Sequence, residues 1–139
     1  MAFSGYLIKV GGSNGTILPM KFMKAESYKS TPAQRMESKA TRDATGVLHR
    51  TTVEHTATKI EFETPVITNR DVVELMTLFR ANWTNELERR LDIYYYNEEE
   101  DDYVLADVYM PDTQFPINRI DLNTNTVYYN SIRFAFIEY

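Results

Sequence analysis

The sequence predicts a mainly β chain, an antiparallel β-sandwich or barrel of about seven strands with one packed α-helix and a long protruding hairpin. Three observations carry this. Leu91–Tyr96 and Tyr103–Met110 alternate apolar with polar side chains, the period of half-buried strands. One stripe, Val72, Leu75, Met76, Phe79 and Trp83, recurs at helical spacing. Residues 47–64 are rich in strand formers, contain neither Gly nor Pro, and lack a consistently apolar face.

In chain order, Tyr6–Val10 reads as a short strand closed by the turn Gly11-Gly12-Ser13-Asn14-Gly15. Ile17–Tyr28 reads as a second extended stretch, with Met20, Phe22 and Tyr28 on one side and Lys21 and Met23 on the other. Ser30–Gly46 follows, charged and almost free of large apolar side chains. A connection of that length in a compact domain is usually functional or disordered. Between two extended segments it reads as the tip of a protruding hairpin spanning about residues 21–62, with arms at 21–28 and 47–62 and a tip loop at 30–46.

The second arm is the unusual one. Val47, His49, Thr51, Val53, His55, Ala57, Lys59 and Glu61 would share one face, and Leu48, Arg50, Thr52, Glu54, Thr56, Thr58, Ile60 and Phe62 the other. From Thr51 to Thr58 neither face suits a core. A ribbon wet on both sides still presents unpaired backbone at its edges, so it is a template for another chain. It is expected to be an assembly element, ordered by neighbouring copies because an isolated hairpin is marginal in water.

Pro65 ends the ribbon. Thr68 or Asn69 can cap the helix that follows, and Asp71 in its first turn suits the helix dipole. The apolar stripe should cover one face of a sheet. Leu91–Tyr96 and Tyr103–Met110 then form a hairpin around the acidic turn 97–102. Pro111 and Pro116 break the chain, Ile117–Leu122 extends again, and Val127–Tyr139 is a final strand with Ile132, Phe134 and Phe136 on one side. No repeat or linker divides residues 1–139, which are expected to form a single domain.

Composition narrows the function. Hydrophobic content of 43% and charged content of 25% belong to a folded globular chain, and no run reaches the roughly 18 apolar residues of a membrane span. The amino terminus lacks the pattern of a signal peptide. With no cysteine there is no disulfide framework or thiolate metal site, and an intracellular site of synthesis is the simplest expectation. Net charge is −5, but residues 1–60 carry +5 and residues 61–139 carry −10. Opposite fields on one subunit favour heterologous contacts between copies.

No motif points to catalysis. The acidic turn 97–102 lacks the alternating ligands and central Gly of a calcium loop and reads as a solvated hairpin tip. His49 and His55 would lie about 20 Å apart on a strand and cannot share an ion. The Gly-rich turn at 11–15 has no Lys-Ser/Thr and no helix after it, so it is not a phosphate loop. The chain is expected not to be an enzyme and to need no cofactor or metal. Basic residues interleaved with aromatics from Lys21 to Arg42 could touch a nucleic-acid backbone, but the sequence pI near 5.0 favours contact with an acidic neighbouring subunit. Tyr94–Tyr96 could form a stacking platform, which keeps open an alternative: a monomeric β-sandwich module that binds carbohydrate or a cell surface.

The order of a small amino-terminal strand, a long polar hairpin with a charged tip, a capped helix after Pro65 and antiparallel strands to the carboxyl end, with pieces such as Gly46-Val47-Leu48-His49-Arg50, resembles the tail-tube fold. That fold is shared by tube, distal-tail and baseplate-hub proteins of tailed bacteriophages and contractile injection systems. The resemblance implies a structural virion protein of the tail, assembled in the host cytoplasm. It implies a homo-oligomeric ring, usually of six subunits, in contact with adjacent tail proteins. Its hairpins would line a channel for DNA and the tape-measure protein, and its helices would lie outside. The interface residues would be Arg35, Lys39 and Arg42 at the tip, with Arg50, Thr52, Glu54, Thr56 and Thr58 along the ribbon.

Overall fold

A computed structural model describes residues 3–139; the first two residues of the amino-terminal segment lie outside the described residues. The chain is mainly β with one α-helix. Its strands are β1 (Ile8–Val10), β2 (Thr16–Ile17), β3 (Lys29–Gln34), β4 (Glu37–Arg42), β5 (Leu48–Thr52), β6 (Ala57–Glu63), β7 (Ile67–Thr68), β8 (Arg90–Asn97), β9 (Asp102–Tyr109), β10 (Ile117–Asp121), β11 (Thr126–Tyr129) and β12 (Arg133–Glu138), and the helix α1 is Asn69–Arg80. All the pairings are antiparallel. A seven-stranded sheet runs β2-β1-β8-β9-β12-β6-β3, a three-stranded sheet runs β10-β11-β7, and β4 and β5 stand apart as a two-stranded ribbon.

The large sheet is rolled. Strands three positions apart in a flat sheet lie about 14 Å apart. Yet Ser30 on β3 donates its hydroxyl to Glu98 in the β8–β9 turn. The hydroxyls of Thr58 on β6 and Tyr95 on β8 meet at 3.0 Å. The concave side holds the core: Ile8, Val10, Ile60, Phe62, Leu91, Ile93, Ala106, Val108, Phe134 and Phe136. These are the alternating positions of their strands, so the period-two reading of β8 and β9 sets which face is buried.

Helix α1 closes the concave side. Leu75 and Phe79 are 1% and 0% exposed, and the Phe79 ring packs 5.6 and 5.8 Å from those of Phe134 and Phe136. Thr68 is the N-cap: its hydroxyl accepts from the Asp71 amide, and the Asp71 carboxylate accepts from the Thr68 amide, a reciprocal capping box. At the other edge, the β1–β2 turn needs a glycine at position 15, where an added Cβ would sit 2.1 Å from the Val10 carbonyl oxygen.

Three segments differ from expectation. Residues 20–27 form two 3₁₀ turns, Met20–Phe22 and Ala25–Ser27, instead of an extended arm; Pro19 leads into the first, and the Lys24 amide ties the link between them to the Glu63 carbonyl. The final strand is two, because at 130–132 the chain leaves β11 and Ile132 bonds Thr64 through both its amide and its carbonyl. The long ribbon is also two strands, interrupted at 53–56, where Val53 donates to the Met36 carbonyl and His55 Nε2 lies 2.9 Å from the Tyr139 carbonyl oxygen.

The protrusion therefore sits elsewhere. The expected arms at 21–28 and 47–62 with a tip loop at 30–46 are replaced by β3 continuing into β4 and β5 continuing into β6, around a turn at 43–47. β3, paired with β6, is one edge of the large sheet. Its register slips between Thr31 and Gln34, where Ala33 has a φ of 47°, and Pro32 sits where an edge strand tolerates it.

Candidate functional site

Every residue of β4 and β5 is exposed, and the pair packs essentially on itself. A two-stranded ribbon with two wet faces and two free backbone edges is an element that its own fold leaves uncovered.

Its tip is nevertheless well built. Asp43 Oδ1 accepts from the Thr45 amide at 2.9 Å, the Thr45 hydroxyl at 2.6 Å and the Val47 amide at 3.1 Å, while Oδ2 lies 2.9 Å from His49 Nε2. These bonds, the Thr45 hydroxyl's first, hold the Asp43 carboxyl down at about 2. The Gly46 amide donates to the Asp43 carbonyl at 3.0 Å, and Gly46 takes a φ of 86°, the left-handed step that closes a three-residue hairpin loop. Arg42 Nη1 covers the Gly46 carbonyl at 2.9 Å.

The residues expected at an interface separate into groups. Arg35 lies exposed between β3 and β4. Lys39 and Arg42 stand on β4 but face opposite ways. In the register Arg42 is opposite Leu48, Ala40 opposite Arg50, and Glu37 opposite Thr52, so these six share one face. Lys39, Thr41, His49 and Thr51 share the other. On the first face Arg50 pairs with Glu37. Glu54 is exposed and Thr56 half-buried in the 53–56 break.

Thr58 is a correction to the expected interface set. It is 3% exposed, and its hydroxyl is engaged by the Ala33 amide and Tyr95 while its amide donates to Glu138, so no neighbour can reach it. Its position two before Ile60 and four before Phe62, on the core face of β6, was the available signal.

Residues that sequence reasoning passed over complete the exposed surface. On the hairpin, Met36, Val47, Leu48 and Val53 are each more than 40% exposed. Elsewhere Leu87 is 95% exposed at the apex of the loop leading into β8. A groove of about 450 Å³ lies between α1 and the segment before β10, lined by Val72, Val73, Met76, Trp83 and Phe115.

Other candidates resolve into structure. Tyr95 is buried, and Tyr94 and Tyr96 pack their rings on Tyr103, so the three do not form an open stacking platform. In the acidic turn Glu98 is bonded to Ser30 and Asp101 to Tyr96. Among the described residues no three His, Asp or Glu side chains gather to hold a metal ion, and no helix is long and apolar enough to cross a membrane.

A family model described as "Family of unknown function (DUF6711)" matches residues 1–139. No curated protein matches in sequence. Among solved structures, the chain is similar to one in the tail of an empty GTA particle with C6 symmetry, at 13% identity and a TM-score of 0.53, covering 99% of this chain and 95% of that one. The chain therefore shares its fold with a protein of that tail.

Proposed function

We propose that this chain, which belongs to the DUF6711 family, is a structural protein of a phage-like tail that joins copies of itself into a ring around a channel. The observation that carries this reading is the β4–β5 ribbon. All its residues are exposed, its edges are unpaired, and its tip is preformed by Asp43, so it is a rigid strand pair with nothing in its own subunit to complete it. Strand pairing between copies supplies the missing backbone partners. The likeness to a chain from a C6-symmetric tail supports a six-fold ring.

In this reading the ribbons meet edge to edge and the role is mechanical: a passage for DNA and the tape-measure protein within the virion tail, bounded by adjacent tail proteins. The protein works as tube, distal-tail or baseplate component, without catalysis. Negative-stain images and mass measurement of the purified chain test this. Rings or tubes are expected, with the exposed β4–β5 hairpin around its turn at 43–47 cleaved by protease in the monomer and protected on assembly. A monomer that persists at high concentration overturns it.

A further inference from the structure

We infer that the turn Glu86-Leu87-Glu88 of one copy seats on the Ala40, Arg42, Leu48 and Arg50 face of the hairpin of a second copy. This rests on the ring reading and names the contact through which each subunit would hold the next.

Leu87 is at the apex of a turn that fixes it in place. The Arg90 amide donates to the Asn85 carbonyl at 3.0 Å and the Thr84 amide to the Arg90 carbonyl at 2.8 Å. The Asn85 side chain accepts from the Glu88 amide at 3.2 Å and donates to the Glu88 carboxylate at 2.7 Å. Arg89, at a φ of 53°, stacks on Trp83 and anchors the base of the turn. A large apolar side chain held 95% exposed on an ordered turn between two carboxylates is a knob with no hole in its own subunit.

The hairpin carries the complement. On one face Leu48, 43% exposed, sits opposite Arg42 and diagonal to Ala40, which is itself opposite Arg50. That is an apolar spot flanked by Arg42, bonded to the Gly46 carbonyl, and by Arg50, paired with Glu37, and it faces an apolar apex between two carboxylates. Two copies of the turn repel each other through Glu86 and Glu88, while on the hairpin face Glu37 pairs with Arg50 and leaves Arg42 as the cation whose charge no carboxylate of that face balances. The favoured contact is therefore turn to hairpin, which is heterologous and so propagates around a ring instead of stopping at a dimer.

The chain has no cysteine, which makes the contact directly testable. In assembled Ala40→Cys/Leu87→Cys protein, oxidation should give a reducible ladder of covalent multimers on a denaturing gel, while each single variant gives no more than dimers. Leu87→Asp should raise the concentration needed for assembly by about tenfold or more, the loss of one buried Leu contact, and leave the melting temperature unchanged because Leu87 touches no core. Assembled particles in which the double variant shows only the single-variant background overturn this contact and leave the ring reading standing. Failure of the unsubstituted chain to assemble at all overturns both.

Discussion

The hydroxyls of Thr58 and Tyr95 lie 3.0 Å apart inside the rolled sheet, joining β6 to β8 across its hollow. Thr58 also accepts from the Ala33 amide at 3.0 Å, at the point where β3 slips register before becoming β4. One buried threonine thus ties the foot of the hairpin to the wall of the barrel, and burial raises the Tyr95 phenol above its ordinary range. The ribbon projects from a fixed base, which suits a part that must meet a neighbour in one orientation.

Thr58→Val keeps the shape and removes the hydroxyl, leaving the Ala33 amide and the Tyr95 hydroxyl without that partner. A buried polar group left unpaired costs about 1–3 kcal/mol, so thermal unfolding should move down by several degrees, with Thr58→Ser recovering most of the loss. A melt of Thr58→Val that overlays the parent's would show that the bridge carries no stability.

Thr68→Ala removes the hydroxyl that receives the Asp71 amide at 3.4 Å and breaks the capping box. The expected loss is about 1 kcal/mol, read as a lower denaturant midpoint at unchanged slope. An Asp71→Asn variant should lose less, because its side-chain oxygen can still accept from the Thr68 amide. Equal and negligible effects from both would mean that packing of Leu75 and Phe79 alone fixes the start of the helix.

The legible parts of this fold were those whose pattern persists. The alternation through Leu91–Tyr95 and Val104–Met110, and the helical stripe through Leu75 and Phe79, each repeat often enough to define a buried face. The hairpin was legible as an exposed element but not in its register. Pro32 hides β3, since its ring forbids a central strand but not an edge, and the 53–56 interruption has no Gly or Pro to announce it; it is set by His55 reaching the Tyr139 carbonyl, a contact 84 residues away in sequence. Leu87 escaped notice because one apolar residue among Glu86, Glu88, Arg89 and Arg90 looks like loop composition until its turn is seen to be ordered.

The hairpin tip should resist acid. The Asp43 carboxyl titrates at about 2 in the folded turn, below its ordinary 3.8, because Thr45, His49 and Val47 favour its charged form. A depressed carboxylate contributes stability that is complete above the unfolded value and is lost as pH falls through the folded one. The Thr45 and Gly46 amide resonances should therefore hold their native positions to near pH 3 and shift with a midpoint near 2. A carboxyl midpoint for Asp43 at or above 3.8 would remove the turn's acid tolerance.

If the β4–β5 ribbon exists for its neighbours, removing it should spare the fold and abolish assembly. Replacing residues 36–53 with a short Asn-Gly turn deletes strands in which every residue is exposed, while keeping Ala33, Thr58 and the β3–β6 pairing that anchor the base. The melting temperature should stay within a few degrees of the parent's, since none of the replaced residues belongs to the buried core. Rings should disappear from negative-stain fields at concentrations where the parent forms them. Charge reversal at Arg35, Lys39 and Arg42 is a milder form of the same test: these cations lie on both faces of the ribbon and at its foot, so their joint reversal should weaken assembly without unfolding the domain. A truncated chain that still forms rings would transfer the assembly role to the large sheet's own edge strands, β2 and the remainder of β3, each paired on one side alone within that sheet.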